Sequence, residues 1–583
     1  MAIEFLTSPL RETVHRGNDD LLTAGLGLAG LRGAPSAFAN AAAPTPAELR
    51  RRAIQVSWKG IADLGPLGRY GDLYGSAAGV GGREYQAFAE VAGARSPHRV
   101  LVQVPDTFDA RARCLVVTAS SGSRGIYGAI ALAGAWGLSH GCAVAYTDKG
   151  TGSGYFDTAS ATGIALDGTP ARAGDADLEF TPVGYSAAAG IATKHAHSGD
   201  NPEADWGRHV LQAAEFGLAM LDRAHPQAAP FTPRNTRILA VGVSNAGGAV
   251  LQAAGLDHDG MLGGVIALAP NVHVPGHGRA LYDYATEAAL LMPCALTDAR
   301  FDMIPFARMQ GRIAPLGTAR CATLAATDVL NCVGPRAQAA EALQRLHAGG
   351  WSDAAIATAA SNTAFDLWRA IAATYASAYA RSGVGDMPCG FRFYAHDTAG
   401  KARAPTTAER AAWWADASGV PPGAGVFLDE TATADPSDPT LRGERCLRAL
   451  WTDSAPQAQR LRQSVQATQA ALPRMDLPIW LMHGEEDGLL PAAFSSAAYA
   501  AWLHDNGRRI WYWPVPHAQH FDAFLALPGY GERYVPLLPF GYVAMDRMWR
   551  HLVDGAPLKP GPTPAATPRG SNALNAARLG LQP

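Results

Sequence analysis

The sequence predicts an α/β architecture: a mostly parallel sheet with helices on both faces, interrupted by a large, mainly helical insertion. Three observations predict it. Short apolar runs at residues 114–119, 142–147, 238–243 and 264–270 alternate with helix-like stretches, the pattern of parallel strands buried on both faces. The same pattern resumes at 477–484 and 509–515, after about 200 residues of Ala-rich helical sequence broken by Gly and Pro. Residues 205–224 carry apolar side chains at helical spacing and form a crossover into the strand at 238–243.

That strand opens the stretch RILAVGVSNAGGAVLQAAGL, residues 237–256. An apolar run, a tight Ser-Asn-Ala-Gly-Gly segment and a helix-forming run read as strand, sharp turn and helix, with Ser244 at the apex. Such a turn lifts the hydroxyl above the end of the sheet and aims the first N–H groups of the helix, that of Asn245 among them, at the same point, where an oxyanion can be held. Gly242 and Ala246 flank the apex, giving Gly-x-Ser-x-Ala. The bland alternative is a Gly-rich connection with a helix-capping serine.

At 583 residues the chain exceeds what one core usually organises. The net charge of -3 offers no basic field, so no nucleic-acid partner is expected. No run of about 18 apolar residues occurs, so neither a transmembrane helix nor a membrane partner is expected. Of seven cysteines, Cys114 and Cys142 lie inside strand-like runs and read as buried free thiols. Cys294, Cys321, Cys332, Cys389 and Cys446 cluster in the insertion and would suit one or two disulfides in an oxidising compartment. The opening MAIEF lacks a basic segment followed by an apolar one. An exported protein would therefore have lost its signal already.

In chain order, residues 1–60 read as an extended N-terminal arm on the core, with NDDLLTAGLGLAGL too Gly-broken for a helix. Residues 61–270 form the first part of the catalytic core, with two strands near 85–104. The strand at 114–119 runs into Ser121, Gly122 and Ser123, placed to supply a second oxyanion donor or simply to link strand and helix. His195 and His197 pose a metal question, but no third ligand stands at a recognisable spacing, so solvated or hydrogen-bonded loop histidines are expected and no metal. Residues 271–473 would cover the strand ends as a lid or substrate domain. Its aromatics, Trp368, Tyr375, Tyr379, Phe391, Phe393, Tyr394, Trp413 and Trp414, would line a cleft or, for the most part, build the insertion's own core. Residues 474–556 complete the core and 557–583 form a Pro-rich tail extended over the surface.

Asp487 stands on a turn after Gly484, suited to orient an imidazole, while Glu485 and Glu486 read as solvated turn residues. PHAQHFD follows the last strand. His520, anchored by Phe521 and Phe524, is the expected base; His517 is the alternative, and His483 reads as a packed residue. Ser244, Asp487 and His520 follow the chain order of α/β-hydrolases.

Four stretches, NDDLLTAGLGLAGL, AYTDKGTG, GVSNAGG and AQHFDAF, are spread over nearly the whole chain, and through them the sequence resembles the 3-hydroxybutyrate oligomer hydrolases. That family often has Gly where this chain has Ala246. The resemblance implies an α/β-hydrolase fold and hydrolysis of D-3-hydroxybutyrate oligomers, small oligoesters released when polyhydroxybutyrate is broken down. It also implies a serine nucleophile without a cofactor or metal. The TDKG segment is similar to one in tannase and feruloyl esterase-like enzymes, the nearest alternative, with a polyester-degrading esterase or a non-catalytic binding module behind it. The compartment expected is extracellular after signal removal, otherwise cytoplasmic.

Overall fold

Alternate residues of the central strands join different apolar clusters. Leu115, Val117, Ile238, Ala240, Val265 and Ala267 face one side, and Val116, Leu239, Val241, Ile266 and Leu268 the other. The period of two along a strand divides them, and because both sets are aliphatic both faces must be covered.

The structure, a computed structural model, describes residues 3–430, 436–559 and 561–581. Its main sheet has nine strands: β1 Arg11–His15, β2 Gly82–Ala89, β3 His98–Pro105, β4 Cys114–Ala119, β5 Ala143–Asp148, β6 Arg237–Val243, β7 Gly264–Leu268, β8 Ile479–Gly484 and β9 Trp511–Val515. Their spatial order is β1-β2-β3-β5-β4-β6-β7-β8-β9. The first pairings, up to β3 with β5, are antiparallel, and from β5 to β9 every pairing is parallel. This is the α/β-hydrolase arrangement. Helix α2, Trp206–Ala224, covers β3 to β5, and helix α3, Asn245–Leu256, lies on the same face against β6 and β7. Helix α7, Leu538–Asp554, closes the opposite face.

Several expectations need correction. Cys114 and Cys142 are not free thiols but a disulfide, with Cα atoms 4.6 Å apart. Leu115 pairs with Ala143 in register, so the two cysteines, one residue earlier on adjacent strands, are held side by side. In the insertion Cys294 pairs with Cys321 and Cys389 with Cys446, while Cys332 is exposed and free.

The N-terminal arm is less extended than expected. Its strand β1 adds to β2, and helix α1, Pro46–Ile61, buries Leu49, Ile54 and Trp58. Thr45 and Glu48 form a reciprocal capping box at its start. Within NDDLLTAGLGLAGL the Asp20 carboxylate accepts the N–H groups of Leu22, Thr23 and Gly25, folding the chain tightly into a six-residue helix, Gly27–Arg32. Met1 and Ala2 of MAIEF lie outside the described residues. In the tail, Leu574 and Leu579 are buried and a short helix, Ala576–Leu579, forms.

Residues 271–473 contribute helices α4 Leu281–Ala295, α5 Leu367–Ala380 and α6 Leu441–Thr452, among others. They also contribute Phe391–His396 to a second, seven-stranded sheet whose other members include Tyr155–Asp157, Thr162–Ile164, Pro170–Arg172 and Ile191–Thr193. The second sheet therefore draws on chain from both sides of the serine turn, and a boundary at 271 does not divide it. Arg52 of α1 forms a two-pronged ion pair with Asp416, tying the arm to the insertion.

Candidate active site

Ser244 has φ 86° and ψ −113°, a left-handed conformation rarely adopted by a residue with a side chain. The turn is fixed from both sides. Ser244 N–H donates to Leu268 O at 2.9 Å, and Ser244 O accepts from Gly248 N at 3.0 Å and Asn271 N at 2.9 Å. A Cβ on Gly242 would lie 2.3 Å from the Ala246 carbonyl group, so the small residue two before the serine is required by close packing.

The strained turn aims Ser244 Oγ at His520 Nε2, 2.9 Å away, and His520 Nδ1 lies 2.7 Å from Asp487 Oδ2. The network assigns the tautomer: Nδ1–H donates to the carboxylate, leaving Nε2 to accept the serine hydroxyl. Asp487 is fixed in turn. Its Oδ1 accepts the N–H groups of Leu489 (2.9 Å) and Leu490 (2.7 Å). The His483 Nε2–H is shared between Leu490 O (2.7 Å) and Asp487 Oδ2 (3.2 Å), so this buried histidine braces the carboxylate. Burial alone would raise the Asp487 pKa, but the neighbouring imidazole charge of His520 and the histidine hydrogen bonds outweigh it and hold the carboxyl well below its ordinary range.

The competing residues are turned elsewhere. His517 Nδ1 pairs with Glu486 Oε1 at 3.0 Å in a part-exposed contact, and Glu485 is exposed. Ser121 and Gly122 line the same cleft as Ser244 and His520, whereas the Ser123 carbonyl packs against Gly152. Asn245 begins α3, where N–H groups lack helical partners. Its side chain is held by Tyr375 OH (3.2 Å) and Asn271 Nδ2 (3.0 Å). Tyr375 is one of the eight insertion aromatics; seven are buried and none lines the cleft beside Ser244.

His195 and His197 are buried on one helical turn, Lys194–His197, rather than solvated. His195 Nε2 contacts Glu203 Oε1 at 2.7 Å, Lys149 pairs with the same oxygen, and His197 Nδ1 contacts Thr193 backbone atoms. Among the described residues no group of His, Cys, Asp and Glu is arranged to hold a metal ion.

Sequence reasoning missed several residues of the cleft. Gly60 and Ile61 reach it from the end of α1, and Leu537 and Leu538 from the start of α7. Asp522 also lines it; its two oxygens accept Leu537 N–H and Leu538 N–H at 2.7 and 2.8 Å, and burial pushes its carboxyl up to about 7. Arg124, in the SSGSRG loop, also lines the cleft, a lone cation in a segment that no motif marks. The capping box TPAE was the available signal for α1.

A parallel sheet with a strained serine turn at a strand end, and a carboxylate and histidine delivered by later strand ends, defines the α/β-hydrolase class. The chain belongs to the 3HB-oligomer hydrolase (3HBOH) family, whose sequence profile matches residues 4–582. It is 37% identical to a D-(-)-3-hydroxybutyrate oligomer hydrolase of Cupriavidus metallidurans, over 99% of this chain and 88% of that one. The identity is again 37% to the enzyme of the same name from Paracidovorax citrulli, over 96% of this chain and 89% of that one. Among solved structures it is similar to tannin acyl hydrolase from Aspergillus niger, with TM-score 0.35 and 14% identity over 85% of this chain and 82% of that one.

Proposed function

We propose that the chain hydrolyses the ester bonds of short D-3-hydroxybutyrate oligomers through a serine acyl-enzyme. The observation that carries this is the unbroken relay from Ser244 Oγ through His520 to Asp487, opening onto a cleft in a member of the oligomer hydrolase family. Ser244 attacks the ester carbonyl as His520 Nε2 takes its proton, and Asp487 stabilises the imidazolium. The N–H of Asn245, with that of Ser121 or Gly122, holds the oxyanion. His520 then protonates the departing alcohol, and water, deprotonated by the same nitrogen, clears the acyl group. The assembled relay speaks against a non-catalytic module, and the chemistry calls on no cofactor.

Residues 271–473, with the second sheet, act as the cover that leaves a cleft for soluble oligomers. Three disulfides favour an oxidising compartment and hence an exported protein. No helix among the described residues is long and apolar enough to cross a membrane. The test is a side-by-side rate assay on the 3-hydroxybutyrate dimer and trimer, polymer film, and methyl gallate or ferulate. Fastest turnover of the soluble oligomers is expected; preference for an aryl ester or for film sinks the assignment.

A further inference from the structure

The buried arginines Arg50, Arg99 and Arg320 each have a carboxylate partner: Glu84, Glu179 and Asp438. Arg124 does not. Its side chain donates from Nη2 to the backbone oxygen of Gly60 at 3.1 Å, and among the described residues no Asp or Glu forms an ion pair with it. Burial accordingly pulls its pKa down with no acid to restore it. A guanidinium has five N–H donors, and this one, in the lining of the cleft, spends one of them on Gly60 O.

Its place is built. A Cβ on Gly60 would fall 1.9 Å from Nη1 and 2.0 Å from Cζ, and one on Gly419 would lie 3.0 Å from Nη2. Two glycines, from α1 and from the insertion, thus leave the room the guanidinium occupies, and both line the cleft that holds Ser244 and His520. Asp522, the acid among the lining residues, has both oxygens committed to backbone N–H groups. The lining also includes the apolar Leu489, Leu537 and Leu538.

We propose that Arg124 is a carboxylate subsite: it binds the free acid end of the oligomer whose terminal ester Ser244 attacks. This rests on the oligomer reading above and deepens it. In such an oligomer the acid of the leaving monomer is only two carbons removed from the scissile ester oxygen, so a cation beside the nucleophile meets that acid when the last ester is in place. A planar fork matches it with two hydrogen bonds. The enzyme then releases monomers from the acid end, and a chain without a nearby acid lacks the anchor.

The test compares kcat/KM for the free-acid dimer and for the same dimer capped as its methyl ester, in wild type, Arg124→Gln and Arg124→Lys. Because the ratio is taken within one protein, a misfolded fraction cancels. Wild type is expected to favour the acid by about 30-fold or more, Arg124→Gln to bring the ratio near one, and Arg124→Lys to keep part of it. A wild-type ratio near one, or a ratio that Arg124→Gln leaves unchanged, overturns the subsite. If wild type turns over neither dimer, the oligomer reading fails by itself, and calorimetric titration with 3-hydroxybutyrate and methyl 3-hydroxybutyrate reads the subsite alone. Tighter binding of the acid that Arg124→Gln abolishes supports it, and equal binding overturns it.

Discussion

The molecule holds two buried histidine–carboxylate pairs of the same length. His520 Nδ1 lies 2.7 Å from Asp487, and His195 Nε2 lies 2.7 Å from Glu203. They differ in what surrounds the pair. The far nitrogen of His520 meets a serine hydroxyl in a cleft, whereas that of His195 is buried without a hydrogen-bond partner and Lys149 takes the Glu203 oxygen as well. Burial alone would raise Glu203, yet Lys149 and His195 hold it down to about 2. One pair is open at its outer nitrogen and so can move a proton; the other is sealed by a fixed cation and can only hold structure. Proximity of histidine to carboxylate therefore identifies neither role.

Removing the hydroxyl breaks the difference most completely. Ser244→Ala leaves two closed pairs, and turnover should fall by about 10⁴-fold or more with the melting temperature little changed; residual turnover near wild type in a steady-state assay rejects the nucleophile. Next is Asp487→Asn, which spoils the tautomer that lets His520 accept a proton, with an expected loss in kcat of about 10³ to 10⁴-fold. The sealed pair should answer in stability instead. Glu203→Gln strands a buried lysine and should cost about 3–5 kcal/mol at neutral pH, read from denaturant unfolding. Since the folded-state pKa of Glu203 is depressed to about 2 from an ordinary 4.5, its contribution is full above pH 4.5 and is lost as pH falls through 2. The gap between wild type and variant should therefore narrow between pH 4.5 and 2; a gap constant with pH counts against the ion pair. His517→Ala removes only a part-exposed contact with Glu486, and kcat should stay within about twofold. A collapse there would shift the base by three residues. Exhaustive chelation should have no effect on rate, and a loss restored by Zn²⁺ would reject a mechanism of protein groups alone.

The strands around the serine turn were legible because each is a short aliphatic run between turn residues, and the spacing of Ser244, Asp487 and His520 fitted their ends. What was illegible depended on partners distant in sequence. Tyr155–Asp157 and Ile191–Thr193 are three-residue strands with no periodicity to read; they pair with each other, and Ile191–Thr193 pairs in turn with Phe391–His396. The Cys114–Cys142 bond needed the register of two parallel strands, which an apolar run does not reveal. Arg124 stands in a Gly/Ser-rich loop, where the local sequence does not tell which carboxylates a cation meets.

The shared second sheet has a consequence for the newborn chain. Ile191–Thr193 leaves the ribosome about 200 residues before Phe391–His396, the strand that pairs with its outer edge. At synthesis rates of about 5–20 residues per second that edge waits about 10–40 s. During that interval it is an open template for a neighbouring molecule, so a chaperone or export factor that keeps this stretch apart until the later strand arrives would decide how much of the enzyme is recovered intact.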